Sequence, residues 1–60
     1  MYKVTKVTLG TETAYIATKD GNVLGQRGKY KMAQRLCEQT AGRELNWKSL
    51  GGGNYEGTHS

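Results

Sequence analysis

The sequence predicts an α+β fold. It reads as a small three-stranded antiparallel meander packed by one helix, with a short C-terminal strand or ribbon, in ββαβ-like or βββαβ order. Three observations predict it. The chain up to Leu24 is rich in Thr, Val and Tyr, which fit a pleated, half-buried surface. A turn signal, Asp20-Gly21-Asn22, interrupts that region where a hairpin reverses. From Lys29 to Ala41 the apolar spacing becomes i, i+3, i+4, the repeat of a helix. Three strands covered by a helix are stable where a lone hairpin is not.

"MYKVTKVTLG" reads as the first strand. Tyr2 and Val4 share one parity and Val7 and Leu9 the other, so a bulge near Thr5–Lys6 is expected to return both pairs to one face. Gly10 opens a polar turn, "GTET". In "TAYIATKDGNVLGQ" two short strands flank Asp20-Gly21-Asn22, where Gly and Asn tolerate positive φ. Ile16 is expected to face the core, with Tyr15 and Ala17 pointing away and Val23 or Leu24 returning. The other sheet face is then polar and open, carrying Lys3, Thr5, Tyr15, Ala17 and, depending on register, Lys19.

Tyr30, Ala33, Leu36, Cys37 and Thr40 form the apolar stripe of the helix, bordered by Met32. Lys31, Gln34, Arg35 and Glu38 fall on the opposite side, where Glu38 can partly neutralise Arg35. Gly42 sits where a left-handed C-cap is wanted, and Arg43 follows at the negative end of the dipole. Leu45 and Trp47 alternate with Glu44, Asn46 and Lys48, a short fourth strand. Gly51-Gly52-Gly53 is either a loose hairpin loop bringing Tyr55 beside Trp47 or the start of a flexible tail; a poorly formed hairpin is favoured. One domain over 1–56 and a disordered tail over 57–60 are expected.

At 60 residues the chain buries only about 60% of its unfolded surface. It has no Phe and is 35% apolar, so stabilisation by a partner or as a homodimer is an open option. The lone Cys37 makes no internal disulfide and is expected to be buried. The chain opens at Met1 and reads as a complete short frame, with neither a secretory segment nor a membrane span, so a cytoplasmic location is expected.

The formal net charge is +4. Residues 1–35 hold seven cations against two acids, a balance of +5, and residues 36–60 two cations against three acids, a balance of −1. The cations gather at the helix start. Arg27, Lys29 and Lys31 stand where the macrodipole disfavours positive charge, with no acid and no good N-cap residue. Helix N-termini expose unpaired N–H groups that form anion sites, and Gly25 and Gly28 let a ligand approach the backbone. Something anionic is expected there. The nucleic-acid- or anion-binding candidates are Arg27, Gly28, Lys29, Lys31 and Arg35 at the helix, with Lys3, Lys19 and Tyr15 from the open sheet. An ordinary solvated surface is the bland alternative.

Trp47 and Tyr55 are read two ways: Trp47 as a cap on the small core, or the pair as anchors for a partner. His59 and Cys37 make neither a nucleophilic pair nor a metal site, and the five acids show no catalytic spacing. No P-loop pattern occurs. The expectation is a non-enzymatic module without cofactor or metal.

"AYIATKDGNVLGQ", the helix with Ala33, and "AGRELNW" resemble, in order, the integrase arm-binding domains and the plant-type domains of the same three-stranded design. The resemblance covers roughly residues 14–47. It implies a sheet whose open face enters the DNA major groove. "KDGNVLGQRGKYKMAQ" also looks like the ββα repeats of the small YegP-like family, a resemblance that implies fold only.

The leading expectation is therefore a small basic module that binds nucleic acid. The alternative is a phage- or bacterial-type inhibitor or adaptor that engages an acidic surface on a host protein.

Overall fold

The computed structural model describes residues 1–59. Strands β1 (Tyr2–Leu9), β2 (Glu12–Lys19) and β3 (Asn22–Arg27) form the expected meander. Helix α1 (Tyr30–Ala41) follows, then β4 (Leu45–Gly51) and β5 (Asn54–His59). The sheet is not three-stranded but five-stranded and antiparallel, in the order β3-β2-β1-β5-β4. Its central strand is β1, because β5 pairs with β1 at Tyr2–Gly57, Lys3–Glu56 and Val4–Tyr55. The order is βββαββ.

Turn chemistry explains two of the hairpins. Asp20 and Gly21 carry φ of 50° and 84°, and Gly52 and Gly53 carry 63° and 83°. Positive φ at both central residues matches the right-handed twist of the flanking strands. Asn22 therefore opens β3 rather than sitting in the turn. The glycine run closes a formed hairpin, not a loose one. The stretch expected as a disordered tail from residue 57 is strand through His59, because Gly57 pairs with Tyr2 on one side and Trp47 on the other. Ser60 lies outside the described residues. The Met1 ammonium pairs with the Asp20 carboxylate at the sheet end, and the Asp20 N–H donates to the Met1 carbonyl at 3.0 Å.

The two faces of the sheet follow from register, since residues directly opposite share a face. Tyr2 faces Lys19, Val4 faces Ala17 and Lys6 faces Tyr15 across β1 and β2. Val4, Ala17, Ala33 and Cys37 have no exposed surface, so this is the face that α1 covers. The expected assignment of β2 is thus reversed. Tyr15, Ala17 and Lys19 lie on the helix side, and Ile16 is half-buried on the open face. The reason is size: the helix comes close because the groups beneath it are small. Ala17 pairs with Gly25, and a Cβ built on Gly25 would stand 2.7 Å from Leu36 Cδ2.

The expected bulge at Thr5–Lys6 is absent, because β1 pairs with β2 without interruption. Val7 simply takes the open face, half-buried, and Leu9 is exposed, as one-sided antiparallel sheets allow. The register shifts fall elsewhere, leaving Leu24 in β3 and Leu50 in β4 as the extra residues. Leu24 packs against the core, while Leu50 is exposed.

Glu38 joins α1 to β4. Its Oε2 accepts from the Leu45 N–H at 3.0 Å and from the Trp47 indole Nε1–H at 3.3 Å. It is half-buried, not the solvated partner of Arg35 that its helical position suggests. The helix closes as expected on Gly42, at φ 76°, whose N–H donates to the Glu38 carbonyl at 2.8 Å.

Candidate nucleic-acid interface

Strand β3 ends at Arg27, and Gly28 leads to Lys29, which occupies the N-cap position of α1. Lys29 is extended (φ −133°, ψ 144°) and supplies no side-chain cap, and the first turn contains no acid. Its carbonyl accepts the first helical bond, from the Ala33 N–H at 3.2 Å. The N–H groups of the first turn are therefore left for solvent or a ligand.

Beside this helix start is an open cavity of about 230 Å³, lined by Tyr15, Gly28, Lys29, Tyr30 and Lys31. Two of its walls are aromatic. The Tyr15 and Tyr30 rings meet edge to face, with centroids 6.2 Å apart at 64°. Tyr55 stacks on Tyr30, 5.0 Å away at 19°. Three tyrosines far apart in sequence so form one continuous aromatic cluster, anchored by β2, α1 and β5.

The structure brings together four of the eight expected site residues: Tyr15, Gly28, Lys29 and Lys31. Tyr15 is there because it lies on the helix side, not on the open face where it was expected. Arg27 stands directly across from Tyr15, but its Nη1 folds back to donate to the Gln26 carbonyl at 2.7 Å. Arg35 is exposed one turn beyond Lys31. Lys3 faces the opposite side of the sheet, across from Glu56. Lys19 lies at the far end of β2, about 13 Å along the strand from Tyr15. Its Nζ sits 5.6 Å from the Tyr2 ring centroid. Lys3 and Lys19 thus lie away from the cavity and on opposite faces of the sheet.

One residue, Lys6, escaped sequence reading, while Tyr30, placed first in the apolar stripe, lines the cavity instead. Lys6 stands across from Tyr15 on the other side from Arg27, so one row across three strands reads Lys6, Tyr15, Arg27. The stem of Lys6 is held over Gly53, where a Cβ would come within 2.6 Å of Lys6 Cδ. Its backbone N–H donates to Asn54 Oδ1 at 3.0 Å. Counting outward from the turn at Gly10 would have found this pairing.

Among the described residues, no carboxylate lies within ion-pairing distance of Lys6, Arg27, Lys29, Lys31 or Arg35. Trp47 and Tyr55 are both half-buried. The Trp47 ring lies on Gly57 and its nitrogen is tied to Glu38, while Tyr55 is stacked on Tyr30. Burial pushes the Cys37 thiol up to about 11, with the neighbouring Glu38 charge a smaller cause. No helix among the described residues is long and apolar enough to cross a membrane. Comparison with protein-family models, curated proteins and solved structures found no match to this chain.

Proposed function

We propose that this chain is a small non-enzymatic domain that binds nucleic acid through the cations around the start of α1. One observation carries the reading. Lys29 and Lys31 flank a helix N-terminus with no side-chain cap, Lys6 and Arg27 stand on either side of Tyr15 in the strand row, and among the described residues no carboxylate is paired to any of the four. Each cation next to the positive end of the helix costs a few tenths of a kcal/mol in the free protein. A polyanion reverses that sign, adding phosphate–ammonium attraction and acceptors for the free N–H groups. The competing reading, an acidic protein surface gripped by the same cations, needs aromatic anchors. Trp47 and Tyr55 are already engaged within the domain, which favours nucleic acid.

Fluorescence anisotropy of labelled oligonucleotides at low and physiological salt tests this. Four phosphate contacts to a single strand give a log–log salt slope of roughly −3. Lys29→Glu with Lys31→Glu is expected to abolish binding while leaving the fold intact by circular dichroism. Unchanged affinity in that variant refutes the site. No binding by the native protein even at low salt removes the reading, and a stoichiometric complex from nuclease-treated lysate then favours the protein partner.

A further inference from the structure

We propose that the tyrosine-walled cavity receives one unstacked base of a single-stranded nucleic acid, with the flanking phosphates on Lys29 and Lys31. The inference rests on the nucleic-acid reading above and names the form of nucleic acid that the site selects.

The cavity's size and walls argue for it. Its volume of about 230 Å³ is below the roughly 300–1,000 Å³ of sites that engulf a drug-sized ligand. It suits a single planar ring. Tyr15 and Tyr30 supply π-surface at an angle of 64°, and the stacked Tyr55 holds the Tyr30 ring in place. A bare phosphate has no use for aromatic walls. An acidic side chain of a protein carries its charge on an aliphatic stem and offers no ring to stack. A cationic aromatic ligand is opposed by Lys29 and Lys31. A ring joined to an anion, a nucleotide unit, uses both parts of the site.

The same geometry discriminates between strand forms. In a duplex the bases are paired and stacked, and bringing one into the cavity means flipping it out at a cost of a few kcal/mol. Single strands present their bases freely, and stacking on aromatic side chains tolerates any base. Sequence preference is therefore weak, and the preference for single strands is strong.

The test uses the full chain and four probes: a labelled oligothymidylate, an abasic strand of equal length, a duplex of equal length, and thymidine monophosphate as competitor. The oligothymidylate is expected to bind at least roughly fivefold more tightly than the abasic strand, the lower end of one stacking contact. The duplex should bind no better than the abasic strand. Tyr30→Leu should reduce oligothymidylate affinity to the abasic level, and Tyr30→Trp should keep it, with circular dichroism confirming that both fold. Because the abasic comparison uses the native protein, it stands even if a variant misfolds.

Equal affinity for base-bearing and abasic strands overturns the base-binding inference. If Lys29→Glu with Lys31→Glu still abolishes that binding, the phosphate reading survives without it. Displacement of the strand by thymidine monophosphate at the concentration of the strand assigns the cavity to free nucleotides and overturns the single-strand source. No binding of any probe sinks both readings.

Discussion

Gly57→Ala provides a direct test of how β5, β4 and the helix are locked together. A Cβ at this position would stand 2.7, 2.8 and 3.0 Å from Cζ3, Cη2 and Cε3 of Trp47. Ordinary carbon–carbon contact is about 3.5–4.0 Å, so the indole must move by roughly 0.8 Å or more. Its nitrogen already reaches Glu38 at 3.3 Å, and the displacement strains that bond as well. Overpacking costs about 1–3 kcal/mol, and a lost hydrogen bond adds about 1 kcal/mol. Glycine-to-alanine at an unstrained position in general gains about 0.4–1 kcal/mol by restricting the unfolded chain. The two expectations have opposite signs, and the clash is the larger.

The net is a loss of about 2 kcal/mol. For a domain of this size that lowers Tm by roughly 8–16 °C. It is also a large part of the total stability, about 3–9 kcal/mol at this length. Thermal unfolding by circular dichroism reads the loss. Trp47 is the only tryptophan, so its emission reports the displaced ring directly. Gly28→Ala is the control, since nothing lies within 4 Å of its Cβ position and its φ is not positive. An unchanged or raised Tm in Gly57→Ala, with native-like emission, would refute the packing argument.

Glu38→Ala removes the acceptor for both the Leu45 N–H and the Trp47 indole, and is expected to cost about 1–3 kcal/mol in urea unfolding. Glu38→Gln keeps an acceptor oxygen and should recover most of the loss; equal damage from both would show that the carboxylate charge matters instead. Cys37, buried with its thiol raised to about 11, should resist a thiol reagent at pH 8 until denaturant is added. Its raised pKa also sets a sign. The unfolded thiol ionises near 8.5 and the folded one later, so this contribution to stability is complete below about pH 8.5 and lost as pH rises toward 11. A Cys37→Ala variant with the same alkaline loss as the native chain would show that other groups govern it.

Local chemistry was legible in the residues. Asp20-Gly21-Asn22 announced a hairpin because Gly and Asn tolerate positive φ, although the structure puts the positive φ at Asp20 and Gly21. Gly42 announced the helix end for the same reason. The cations at the helix start were visible as an anomaly against the dipole, and the structure places Lys29 and Lys31 together at one cavity. Of the aromatic part of the site only Tyr15 was legible, and on the wrong face of the sheet. Tyr15, Tyr30 and Tyr55 meet only when three distant elements pack, and Lys6 joins them through a strand pairing.

The faces of the strands show why. Alternation states which residues share a side, but not which side the helix will cover. In β2, Ile16 is the more apolar neighbour and Ala17 the smaller. The helix approaches over Ala17 and Gly25 because close packing against Leu36 and Ala33 needs small groups, and that choice turns Tyr15 with it. Strand order was undetermined by the same logic. Nothing local to Tyr2–Val4 records that Tyr55–Gly57 pairs beside it, a contact more than fifty residues distant that makes the first strand the centre of the sheet. The residues alone specified the first two turns, the helix and its cap, and the excess of positive charge at the helix start, while the hairpin at Gly51-Gly52-Gly53 stayed open. The tertiary structure alone decided which face is buried, how the strands are ordered and which aromatics meet the cations, because those depend on distant groups fitting together and not on the preference of any one segment.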